Sequence, residues 1–364
     1  MKRRDFMRTV AWTGAAAGVG PSMLAGRADA GVPAPARAGP HPGTPIVDGV
    51  SPAALTDTYV DMLKQAHVSG WHKSMAGDQS FADAYTFLDR RKDIFVATTA
   101  REIRTAHQNG TVALLFGWQD AGALGDVSTQ KETPLRAFYQ MGLRIVNLVY
   151  NVMNQFAGGS LEPHIGLSRI GKRLIAEMHQ LNMLVDVGGH SGEQSSLDAI
   201  EISRGVPVIC SHTNMRGLID NPRNITDRLA EAIAGTGGVI GLTAINDFNA
   251  RNRRDANIKA TPQVGIAALL NQYDYVKKLV GAEHVGMGND FVEGRSTRID
   301  PTLPQFTPEM ASDQSPINYV KGFEKITELP TLVSGLKERG WTDQEISLAM
   351  GGNWLRVYEK VFGG

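Results

Sequence analysis

Eight short apolar runs punctuate the chain, at residues 45–49, 65–69, 112–118, 144–149, 183–187, 206–210, 238–242 and 284–288. Stretches with helical spacing of apolar residues follow most of them, the clearest being 168–181, with Ile170, Leu174, Ile175 and Met178 on one stripe, and 265–280. A continuously apolar run too short for a helix reads as a strand buried on both faces, the kind that parallel sheets use. Such strands alternating with helices give an α/β fold, and a count of eight favours a closed, TIM-like (β/α)8 barrel over an open doubly wound sheet. Gly286-Met287-Gly288 lacks the spacing of a dinucleotide loop, which argues against a Rossmann domain.

In a barrel the chemistry gathers at the C-terminal ends of the strands. The polar residues expected there are Asp48 and Ser51, Gln119 and Asp120, Tyr150 and Asn151, His190, His212 and Asp290. His190 and His212 each follow a predicted strand, about one βα unit apart. Either imidazole alone is as readily a structural histidine as a ligand. Two of them with a carboxylate on one rim favour a zinc-like divalent ion, which would polarise a scissile carbonyl and bring a bound water towards neutral pKa. A neighbouring carboxylate would then shuttle the proton.

The first 45 residues stand apart from this pattern. Lys2-Arg3-Arg4-Asp5-Phe6-Met7, the weakly apolar stretch 10–24 and Ala28-Asp29-Ala30 read as a twin-arginine signal over residues 1–30, recognised by the Tat export machinery. Residues 31–45 hold five prolines and read as a linker. The folded body, 46–364, is then a single barrel domain of an exported, periplasmic protein, with no membrane span after signal removal. A homodimer is compatible with it. With 37 basic and 37 acidic residues the chain has no general electrostatic reason to bind nucleic acid or an anionic membrane. Cys210 is the lone cysteine, so no internal disulfide can form, and at the end of an apolar run it reads as a small buried hydrophobe before a catalytic thiol.

Four segments carry a resemblance: Ser211-His212-Thr213-Asn214, residues 221–227, the run from His284 to Phe291, and Gly352-Asn353-Trp354-Leu355-Arg356-Val357. Together they resemble the renal or membrane dipeptidase family of zinc peptidases, through most of the folded body. The resemblance implies a (β/α)8 barrel, a two-zinc site and hydrolysis of dipeptides with a free carboxylate. It makes His190 and His212 ligands of the second zinc, Asp290 the acid/base residue, and Arg223 the grip on the substrate carboxylate, a role that suits a bidentate guanidinium. A substrate-contacting histidine of the family falls at Tyr150, and Tyr150 and Asn151 are taken as the substrate contacts of that strand end.

The chain also departs from the family. Where the family has Asp-Gly-His-x-Asp, this sequence has Asp48-Gly49-Val50-Ser51-Pro52, and neither Val50 nor Pro52 binds a metal through its side chain. The bridging glutamate falls at Gln119, a neutral donor, and Gly188-Gly189 stands where the family has one residue before the histidine. The expectation is therefore a reduced site with one zinc on His190, His212 and Gln119. His67, His72, Asp120 and Glu293 are the candidate replacements; His67 and His72 read first as surface or supporting residues, and Glu293 as a solvated loop residue. Asp120 serves only if the strand end shifts, because neighbours in a strand face opposite sides. Arg223 has a plainer reading as a helix-entry residue paired with Asp220 or Asp227. The function expected is an exported metallohydrolase cleaving an amide or peptide bond in a small carboxylate-bearing substrate. The alternative is a non-hydrolytic homologue in periplasmic maturation of a peptide natural product such as a siderophore.

Overall fold

A computed structural model describes residues 43–250, 262–293 and 317–364. The export signal read over residues 1–30, and residues 31–42 of the linker, lie outside them. Nine strands follow in order: β1 (Ile46–Ser51), β2 (Val68–Ser74), β3 (Ile94–Val96), β4 (Val112–Trp118), β5 (Leu143–Asn147), β6 (Leu184–Asp186), β7 (Val208–Thr213), β8 (Ile240–Leu242) and β9 (Val285–Met287). Every pairing between them is parallel, in the order β1-β2-β4-β5-β6-β7-β8-β9. The short β3 lies along the first half of β4, with Ile94 against Val112, while β5 takes the second half, with Trp118 against Val146. The ends of the order meet just past β9, where Asp290 N donates to Val50 O at 2.9 Å and Asn289 N to Asp48 Oδ1 at 3.1 Å. The result is the expected (β/α)8 barrel, nearly closed, with helices between successive strands.

Alternation along the strands divides the apolar residues into two sets. Val47, Leu115, Ile145, Leu184 and Ile209 pack together with Trp354 and Tyr358 in one cluster. Ile46, Leu114, Val146, Val185 and Val208 belong instead to the larger cluster that includes the surrounding helices. Trp354 comes from the helix Asn353–Phe362 and plugs the barrel. Its indole rests against Gly49, Gly241 and Gly286 on three neighbouring strands, where a Cβ would crowd the ring, and its Nε1 donates to Met287 O at 3.0 Å. The Gly-x-Gly pieces near residue 286 are thus packing devices.

Three elements differ from their expected positions. The second strand was expected at 65–69 and runs at Val68–Ser74 instead, because its residues are held by pairing with β1 and β4 rather than by their own apolar pattern. His67 consequently precedes the strand, at a positive φ of 56°, on the end of the barrel opposite the rim, while His72 lies within it. The strand β3 carries only three residues, too few for a pattern to register. The sixth expected strand, 206–210, extends to Thr213, so His212 is part of β7 rather than just beyond it.

Candidate active site

His190 and His212 reach the rim from adjacent strands, β6 and β7, which pair as Val185 with Val208 and Asp186 with Ile209. The carboxylate of Asp186 organises both. Its Oδ1 accepts Gly188 N at 2.7 Å and Ser211 N at 2.9 Å, tying the turn that leads to His190 to the strand that carries His212. The additional glycine in Gly188-Gly189 is absorbed in this turn: Gly189 adopts φ 39°, His190 N closes back on Gly188 O, and Asn147 Nδ2 also donates to Gly188 O at 2.8 Å. Ser191 Oγ donates to Asn147 Oδ1 at 2.8 Å, which fixes the far side of the turn.

The two imidazoles are almost wholly buried, and their Nε2 atoms lie 3.0 Å apart. Ser211 Oγ sits 2.9 Å from His212 Nδ1, and Asn151 Oδ1 sits 2.6 Å from His190 Nδ1. The Tyr150 ring stacks on His190 with centroids 3.9 Å apart. Arg223 enters between them. Its Nη1 lies 2.6 Å from His190 Nδ1 and 3.3 Å from Asn151 Oδ1, its Nη2 2.9 Å from His212 Nε2, and its Nε donates to Gly189 O at 3.2 Å. Burial, and then the guanidinium, hold both imidazoles well below the usual histidine range, so both are neutral. Arg223 is only 3% exposed, and among the described residues none of its hydrogen-bond partners is a carboxylate. Phe248 lies below it, 5.2 Å from Cζ to the ring centroid.

The other expected residues are placed differently. Asp290 follows β9 at φ 59°, 9% exposed, with its backbone oxygen accepting from Tyr319 Oη at 3.2 Å and its charge within electrostatic reach of Arg223. Gln119 is half-buried beyond β4, and its Nε2 is buried without a partner. Asp120 turns away to cap the next turn, accepting Gly122 N at 2.8 Å and Asn154 Nδ2 at 2.9 Å. His72 faces the barrel interior: Nδ1 is 2.5 Å from Gly49 O, while Nε2 is buried without a partner against Gly117, where a Cβ would collide with it. Glu293 is half-buried, and burial pushes its carboxyl up to about 7.

At the head of β1, Val50 is fully buried and Asp48 accepts Ser51 Oγ at 2.5 Å. Among the described residues no three His, Cys, Asp or Glu side chains come together as a metal would need. A paired-zinc centre does not fit these residues. For a single ion, two imidazole nitrogens converge, and the guanidinium now touching them is the obstacle. The polar layer beneath the histidines, Asp186 and the supporting role of Ser211 above all, is not among the site residues expected from the sequence. The signal was there: an aspartate interrupting Leu184-Val185-Asp186-Val187 inside a buried strand.

Comparison with known proteins follows the same lines. A family model described as membrane dipeptidase (peptidase family M19) matches residues 78–362. An uncharacterized dipeptidase of Schizosaccharomyces pombe is 30% identical over 273 residues, covering 73% of this chain but only 57% of that protein. The dipeptidase tcpJ of Claviceps purpurea is 24% identical over 336 residues, 87% of this chain and 68% of its own length. An amidohydrolase structure from Pseudomonas aeruginosa superposes with a TM-score of 0.77 at 25% identity, covering 89% of this chain and 98% of that one.

Proposed function

The chain belongs to the membrane dipeptidase family, M19, a family of zinc-dependent peptidases, and from that membership we propose that it is an exported metallohydrolase cleaving an amide bond in a small, carboxylate-bearing, peptide-like substrate. The observation that carries this reading is Arg223, a guanidinium 3% exposed whose hydrogen-bond partners among the described residues are all neutral. A buried cation with no carboxylate hydrogen-bonded to it is costly, and a planar guanidinium at a rim is matched by a carboxylate from the substrate.

In this reading His190 and His212 hold one zinc, with Gln119 as a further neutral donor. When bound, the ion supplies Lewis-acid polarisation of the scissile carbonyl. The chain's own residues do the rest. Arg223 binds the substrate carboxylate and sets the register of the amide. Tyr150 and Asn151 line the approach over His190. Asp290 takes a proton from the attacking water and returns it to the leaving nitrogen. The signal over residues 1–30 supports delivery to the periplasm by the Tat route.

A second reading, a non-hydrolytic homologue in maturation of a peptide natural product, draws on the same guanidinium, since Arg223 engages a nitrogen of each imidazole. Zinc analysis together with a panel of L,L and L,D dipeptides separates the two. The hydrolase reading expects up to one zinc per chain, lost in a His190→Ala/His212→Ala double variant, and turnover that requires a free carboxylate. Zinc unchanged by the double variant, or no turnover by zinc-loaded protein, would count against it.

A further inference from the structure

A small recess lies beside Arg223, with about 10 Å3 of room, enough for the centre of one water and no more. Three parts of the fold meet around it: Ser160, from the loop after β5; Gly189, from the turn before His190; and the segment from Arg216 to Thr226, which carries Arg223. Ser160 Oγ, Arg216 Nε and Asn224 Oδ1 belong to residues of its walls, and each is buried without a hydrogen-bond partner among the described residues. The Asn224 amide cannot be turned to change this, because its Nδ2 already donates to Ile219 O at 2.9 Å and Phe248 O at 3.1 Å. One unpaired donor, one unpaired acceptor and one hydroxyl therefore come together at a space of one-atom size.

That mixture selects the occupant. An anion such as chloride would satisfy Arg216 Nε but meet the lone pairs of Asn224 Oδ1, with the Glu193 carboxylate, 3.1 Å from Thr226 Oγ, in the same wall. A cation would meet the guanidiniums of Arg216 and Arg223, which also line the recess. A ligand carboxylate needs room for two oxygens. A water donates to Asn224 Oδ1, accepts from Arg216 Nε and shares a third hydrogen bond with Ser160 Oγ, the number that buried waters usually make.

We propose that one ordered water is held here, and that Ser160 and Arg216 act through it as positioning residues for Arg223. The water joins the two sides of the candidate site. Ser160 N donates to His190 O at 2.8 Å, so Ser160 is tied to the histidine, while Asn224 directly follows Arg223 and its N donates to Asn221 O at 2.9 Å. Bridging them fixes where the guanidinium stands against the imidazoles, and with it the point at which a ligand carboxylate is received. That consequence rests on the reading above that Arg223 grips a carboxylate. The water itself does not rest on it, and neither depends on a metal.

Two measurements on the full chain test this. A crystal structure at high resolution is expected to show a single water within hydrogen-bond distance of Ser160 Oγ, Arg216 Nε and Asn224 Oδ1, retained in Ser160→Ala and displaced in Ser160→Val, whose larger side chain fills the recess. Calorimetry without added metal then compares N-acetylalanine with its C-terminal amide. The wild type and Ser160→Ala are expected to bind the acid more tightly than the amide, and Ser160→Val to bind the acid about tenfold more weakly than the wild type does, with the amide unchanged. Arg216→Lys, which keeps the charge but removes the Nε donor, should lose acid affinity in the same way, and it carries the test if Ser160→Val folds poorly. No density in the recess, or an anomalous peak there from crystals soaked in bromide, overturns the water. A water in place with acid affinity unaltered in Ser160→Val and Arg216→Lys overturns the positioning role alone. Equal binding of acid and amide by the wild type overturns the carboxylate reading and the positioning role with it, while the crystal still decides for or against the water.

Discussion

Asp186 Oδ1 accepts the backbone N–H of Ser211 at 2.9 Å, and through that bond a carboxylate on β6 sets the height of His212 on β7. The same oxygen holds Gly188 N at 2.7 Å, so one atom aligns both approaches to the histidine pair. Asp186→Ala leaves two buried N–H groups unpaired and is expected to cost about 3 kcal/mol or more. Asp186→Asn can present an amide oxygen to both and should cost about 1 kcal/mol. Urea denaturation of the two variants checks the difference; equal losses would assign the effect to charge rather than to acceptor geometry.

Stability should fall as pH rises through neutrality because of Asp48. Burial holds its carboxyl up at about 7, against an ordinary 3.8. The folded protein keeps a proton that the unfolded chain has released, so this contribution is complete below the ordinary carboxylate pKa and is lost as pH climbs to about 7. The unfolding free energy of the wild type minus that of Asp48→Asn is expected to drop by roughly 1 kcal/mol per pH unit between about pH 5 and 7, then level off. Asp186, up at about 6, and Glu293, at about 7, act in the same direction. His72 acts oppositely: burial lowers it from 6.5 to about 4, so its contribution is present above 6.5 and is lost as pH falls towards 4. Taking the difference isolates Asp48, and a flat difference across the window would remove it from the account.

Asp290→Asn should separate proton transfer from metal binding. If Asp290 moves the proton at the scissile amide, kcat falls by about 100-fold or more while zinc content and the KM for a carboxylate substrate change little. A fall in zinc content of the same size would make Asp290 a ligand instead.

The barrel plug gives a steric prediction. A methyl on Gly49 would meet the Trp354 indole and the carbonyl of Met287, so Gly49→Ala is expected to destabilise by about 2 kcal/mol or more. Gly235, near the C-terminal end of the helix Asp227–Gly235, has open space around it, and Gly235→Ala should be neutral or stabilising by up to about 1 kcal/mol. Thermal melts of the pair decide the matter: similar shifts would mean the indole can move aside.

Much of the architecture was readable from the chain because buried parallel strands write themselves as apolar runs. Val112–Trp118 was found at its full length. The failures share a cause. The strand Val68–Ser74 places Ser69, His72 and Ser74 among its buried residues, so pairing with neighbours, not composition, defines it. His190, His212, Tyr150, Asn151 and Arg223 were singled out, and the fold gathers them into one cluster. What the sequence could not convey is that Arg223 lies on the imidazoles themselves, since that contact joins a loop to two strands and depends on the turn that Asp186 holds. That His72 Nε2 is buried without a hydrogen-bond partner, in the space a side chain on Gly117 would fill, was equally invisible.

Trp354 also imposes an order of events. Gly49 emerges early in synthesis, and the indole that fills the space beside it arrives about 300 residues later, on the order of tens of seconds at ordinary translation rates. Until then the first strand faces a hollow lined by glycines, with nothing to define the barrel's bore. The first strand has a finished neighbour only once the helix Asn353–Phe362 has been made, so the barrel's bore is set by a contact about 300 residues apart in the chain.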